Sequence, residues 1–82
     1  VSDVELTARA DAWRGCVSSA YSTNRSSVED RNLAAEMAFV ACQTEEDSLV
    51  SYALQDPGAD AQFLSEAMTD AKARMTTELV AL

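Results

Sequence analysis

Two cysteines, Cys16 and Cys42, are the side chains of this sequence best placed to do covalent chemistry, and they are the only thiols in it. They flank the polar run "STNRSS" and lie on apolar faces, where each could simply be a small buried hydrophobe. A pair with no third thiol, in a small domain that starts at Val1 without Met, points instead to a disulfide formed in an oxidising compartment. No C-x-x-C motif is present, so thiol–disulfide exchange is not expected. Two Cys and no His do not make a zinc site, and no metal or other cofactor is expected.

The absence of histidine removes the commonest general base, together with the Ser-His-Asp and Cys-His arrangements. Gly15 and Gly58 stand alone, so no phosphate-cradling loop exists. The contiguous Glu45, Glu46 and Asp47 fan around a helix instead of converging, and are expected to form a solvated turn. Carboxylate-pair hydrolysis would need a cleft for which a chain of 82 residues has little room, and the calcium-loop spacing is missing. Glu36, flanked by apolar residues, is expected at the edge of the core, or beside Arg14 or Arg31 if its helix is covered all round. No catalytic residue is assigned, and the chain is read as non-enzymatic.

The elements that must carry these residues are helices. Fifteen Ala against one Pro and two Gly favour helix throughout. Ser2 and Glu5 have capping-box spacing, and behind them Leu6, Ala10, Trp13, Val17 and Ala20 form one apolar stripe. This predicts a first helix over about 3–22. Ser26 and Glu29 suggest a second capping box, and Val28, Ala35, Cys42 and Leu49 recur every seventh residue. One long helix over about 27–55 follows, with a bend at "TEED" left open. Pro57 and Gly58 punctuate the chain, and Leu64, Met68, Ala71, Met75, Leu79 and Leu82 predict a third helix over about 58–81. The expected fold is therefore all-α: a single domain over 1–82, a small three-helix bundle with a long central helix, stapled by Cys16–Cys42.

The staple meets a geometric difficulty. A symmetric turn about Arg25 would place Cys16 opposite Leu33 and Ala34, leaving Cys42 roughly 12 Å further along the axis. A disulfide tolerates Cα separations of only about 4.4–6.8 Å. An intrachain bond then needs an asymmetric connector reaching from about Ser22 to Asn32; otherwise the bond joins two chains. The intrachain form is favoured.

The aromatics Trp13, Tyr21, Phe39, Tyr52 and Phe63 are core by default; exposed ones would mark protein contacts, with Trp13 and Tyr52 first. Met68 and Met75 join them as candidate contact residues, since methionines can line an adaptable groove, although gap-filling by these and Met37 is the plainer reading. Asn24-Arg25-Ser26 has the form of a glycosylation sequon in a loop, a triplet common by chance.

The net charge of −8 disfavours nucleic acid and anionic lipid surfaces while suiting a basic protein partner. It also serves simply to keep an exported protein in solution. No apolar run reaches the ~18–20 residues of a membrane span. Trp13, Cys16 and Val17, followed by "AAEMAFVACQTEEDSLV", resemble small exported helical proteins of Gram-negative bacteria that carry a single Cys pair. The matching positions are Cys16, Cys42, Glu45, Glu46 and Leu49, within the stretch Trp13–Leu49. The resemblance implies a periplasmic or secreted helical protein and brings no catalytic residues; with no Met at position 1, a signal peptide is presumed to have been removed. The expected role is protein–protein contact, as an accessory subunit or adaptor of a larger assembly, with self-association left open. The alternative is a periplasmic acid-stress chaperone or a small protein inhibitor.

Overall fold

The computed structural model describes residues 1–82 and is entirely helical, with α1 at Asp3–Asn24, α2 at Arg31–Ala41, α3 at Gln43–Ala53 and α4 at Ala61–Val80. α1 begins where its cap predicts: Ser2 Oγ accepts a hydrogen bond from the Glu5 amide at 3.3 Å. The reciprocal half of the capping box is absent, because the Glu5 carboxylate pairs with Arg9 Nε at 2.8 Å, one turn further on. Trp13, Val17 and Tyr21, spaced by four, form the buried stripe of this helix.

The connector over 25–30 differs from expectation. Ser26 does not cap the next helix; its hydroxyl donates back to the Thr23 carbonyl, which extends the end of α1. Asp30 caps α2 instead, accepting from the Leu33 amide at 3.2 Å, so α2 begins four residues later than the Ser26–Glu29 spacing suggests. Arg25 holds the connector closed by donating to the carbonyls of Val28 and Glu29 at 2.8 and 2.7 Å.

The long central helix exists as two 11-residue segments that meet at Cys42. Cys42 leaves helical angles (φ −103°, ψ 22°), yet its amide donates to the Ala38 carbonyl and its own carbonyl accepts from the Glu46 amide. The hydrogen-bond ladder therefore runs on through Cys42, and the sevenfold register from Ala35 to Leu49 keeps all three residues, Cys42 included, buried. The bend falls one turn before the centre of "TEED".

Pro57 lies within the turn after α3, where Asp56 Oδ1 accepts from the Gly58 amide at 2.9 Å. Asp60 then caps α4 by accepting from the Gln62 and Phe63 amides, which sets the helix start at Ala61 instead of 58.

The chain thus makes three passes along a molecule of 43 × 20 × 18 Å, with α1 packed on α2 and α3, and α4 packed on α2. Nine residues form the core: Trp13, Val17 and Tyr21 of α1, Ala34, Ala35, Ala38 and Cys42, then Leu49 and Leu79. The three alanines are fully enclosed. Their small side chains let α1 and α2 approach closely while Trp13 and Phe39 supply bulk, their rings 6.3 Å apart between centroids.

Candidate interaction surface

Cys16 and Cys42 are bonded to one another within the chain, with an S–S distance of 2.06 Å and 6.0 Å between Cα atoms. The axial difficulty is resolved by the connector. Asn24 Nδ2 donates to the Ala34 carbonyl at 3.1 Å, and that pair, like Cys16–Cys42, is centred on Glu29. The turn pivots four residues beyond Arg25, which removes the roughly 12 Å offset of a symmetric turn. Because the Asn24 amide is committed to this bond and half-buried, the sequon reads as a structural tie between helices.

Polar side chains fasten the three passes at separate levels. At the open end, the Ser2 amide donates to the Tyr52 hydroxyl at 2.8 Å, and the Arg9 guanidinium lies 4.6 Å from the centre of the Tyr52 ring. The same guanidinium donates to the hydroxyl and carbonyl of Ser48, so Arg9 joins α1 to α3. At the connector end, Arg31 donates to the Val80 carbonyl at 2.8 Å, tying the start of α2 to the last turn of α4.

Between these levels the carboxylates depart from the expected solvated turn. Glu46 is only 8% exposed, and its Oε1 lies 2.8 Å from Nζ of Lys72, the chain's one lysine, across the α3–α4 boundary. The ammonium meets it as a close ion pair without the alignment of a hydrogen bond. Glu45 is half-buried against Cys16, with Oε1 3.5 Å from Sγ; a disulfide sulfur has no proton to donate, so this is a contact only. Asp47 is exposed and accepts from Gln43. Glu36 is exposed too, because α2 is not covered all round. No group of three or more Cys, Asp and Glu is placed to hold a metal ion.

The candidate contact residues separate. Trp13 is 1% exposed and belongs to the core, its indole N–H enclosed without a partner, so it offers nothing to another protein. Tyr52 is half-buried, with its hydroxyl and ring already engaged by Ser2 and Arg9. Met68 and Met75 are half-buried against the core, and Met75 lines an open groove of about 810 Å³ between α1 and α4 together with Arg14, Arg74 and Leu82.

The residues that stand out into solvent are others. Leu33, Met37 and Val40 are 45, 42 and 75% exposed and lie along α2 at i, i+4 and i+7. At 3.6 residues per turn they fall within about 60° of each other, turned away from Ala34, Ala35 and Ala38. Phe63, 67% exposed, stands at the rim of a second hollow, of about 480 Å³, lined also by Leu6, Ala53 and Leu64. The outward stripe is a second apolar periodicity on the helix that already carries the core stripe, and spacing alone does not say which of the two faces solvent. Phe63 is core by default in the sequence and a contact residue only by its exposure.

Compared with known proteins, the chain matches no family model, no curated protein and no solved structure.

Proposed function

We propose that this chain is a non-enzymatic, exported helical protein that works by binding another protein, as an accessory subunit or adaptor of a larger assembly. The observation that carries this reading is the outward stripe of α2, three large apolar side chains in helical spacing and in contact with solvent. Single exposed apolar residues are ordinary on a protein surface, whereas an aligned set on one helix face is the form of a contact site.

The Cys16–Cys42 bond supports a periplasmic or secreted location, since such bonds persist in oxidising compartments. No helix is long and apolar enough to cross a membrane. The non-enzymatic reading draws on the side-chain inventory: there is no histidine, and the least exposed carboxylate, Glu46, is spent on Lys72.

A photo-cross-linking residue at position 40, compared with one at the exposed polar position Ser65, tests the reading in the source cell. A covalent adduct with one defined protein, formed from position 40 and not from 65, is expected. Uncross-linked monomer from every exposed apolar position, Phe63 included, would overturn it.

The acid-stress chaperone reading draws on one feature, the Glu46–Lys72 pair as the sole ion pair between α3 and α4. Protonating the carboxylates removes that pair and leaves six cationic side chains unopposed. Suppression of client aggregation at low pH, absent at neutral pH, would favour this role over the adaptor.

A further inference from the structure

We propose that the outward face of α2 is the seat of a basic amphipathic helix of the partner protein. This rests on the contact reading above and names the chemistry of what is bound.

The seat has the shape of a helix-binding ridge. Leu33, Met37 and Val40 span eight residues, about two turns, at the spacing with which one amphipathic helix engages another. α2 is apolar on both of its sides. The inner side closes on α1 and α4, and the outer side has no cover within this chain. A surface helix ordinarily carries one apolar stripe, facing the core, with polar residues opposite, so a second apolar stripe calls for a second surface.

The charges beside the ridge define the sign of that surface. Glu29, Asp30 and Glu36 are all exposed, and none of them forms an ion pair; the three pairs in the molecule are Arg9–Glu5, Lys72–Glu46 and Arg74–Asp70. The nearest cations, Arg25 and Arg31, donate to the carbonyls of Val28, Glu29 and Val80 and form no ion pair with these carboxylates. The ridge is therefore flanked by exposed carboxylates that are in no ion pair within this chain.

That pattern argues against a second copy as the occupant. A twofold pairing through α2 would bring the same carboxylates together from two chains that each carry a net charge of −8. An anionic lipid surface meets the same repulsion. A helix with a leucine-type stripe edged by Lys or Arg satisfies both the ridge and its rim.

The test uses the full oxidised chain and a fluorescein-labelled 18-residue amphipathic peptide of Leu and Lys, with its Leu and Glu counterpart as control. Anisotropy measures binding, and amide chemical shifts locate it. The Leu/Lys peptide is expected to bind and to displace the signals of residues 33, 36, 37 and 40. V40D should weaken binding by about tenfold, as loss of a central apolar anchor does. E36K should weaken it by several-fold and reduce its salt dependence. Both positions are exposed, so the fold is retained, and helical circular dichroism verifies this.

Equal binding of the Glu peptide, shifts confined to the α1–α4 groove or the Phe63 hollow, or a wild-type dimer dispersed by V40D would each overturn the proposal. If the peptide fails here while cross-linking from position 63 yields a partner, the contact reading stands and the assignment to α2 falls.

Discussion

Reduction of Cys16–Cys42 is the perturbation from which the structure predicts most. The bond closes a loop with a sequence separation of 26. The chain-entropy relation gives about 3.5 kcal/mol for a loop of that length at 25 °C, lost when the unfolded ensemble is released. Total stability for a domain of this size is on the order of 4–12 kcal/mol, so the bond accounts for a large part of it. With a urea slope of about 1 kcal/mol per molar, the unfolding midpoint should fall by about 3.5 M. The thermal midpoint should fall by about 15–25 °C. The urea slope itself should rise, because the reduced chain exposes more surface when it unfolds. The assay is urea unfolding followed by circular dichroism, on oxidised protein, on protein held reduced, and on the Cys16→Ala/Cys42→Ala variant. A midpoint displaced by less than about 0.5 M would refute the reasoning, and would mean that the alanine seam and polar ties alone hold the native state.

Asp30→Ala should cost about 1 kcal/mol through loss of the α2 cap, while Ser26→Ala costs under about 0.5, an ordering that urea midpoints will show or reverse. Ala38→Leu forces a larger side chain into the closed seam between α1 and α2 and should destabilise by about 1–3 kcal/mol, read in the same assay. Lys72→Met should destabilise by about 1–2 kcal/mol because it strands the Glu46 carboxylate, with the ammonium's partial exposure lowering the figure for a fully enclosed pair. Adding Glu46→Gln should recover part of that loss in a double-mutant cycle, and a strictly additive result would contradict the pairing.

The sequence was most informative where local chemistry and periodicity agreed. Ser2 caps α1, the stripe through Trp13 and Val17 is its buried face, and the register from Ala35 through Cys42 to Leu49 survives in space. The start of α2 was ambiguous because Ser26 and Asp30 both have capping chemistry. The choice fell to Asp30 once Asn24 and Arg25 had tied the connector to later carbonyls. Those ties are also what moved the pivot to Glu29 and let the cysteines meet. Glu36, expected at the edge of the core, is exposed, and Glu46, expected in a solvated turn, is buried, since burial of a carboxylate depends on which helix faces it. Lys72, 26 positions after Glu46, offered no short-range clue. The contact residues were the least legible part. Trp13 reads as core by default and as a contact only if exposed, and its packing settles it as core; the stripe of Leu33, Met37 and Val40 could be told from core only once α2's neighbours were known.

An odd number of passes has a consequence for anything joined to this chain. Residues 1 and 82 emerge at opposite poles of a body 43 Å long. Groups attached at the two positions are held apart like weights on a short rod. Joining the poles covalently would take about 12 residues stretched to their limit, and about 60 if the tether were a flexible coil. Fluorophores placed there should therefore give one long, narrowly distributed distance while the helices hold, and a broad one as soon as they part.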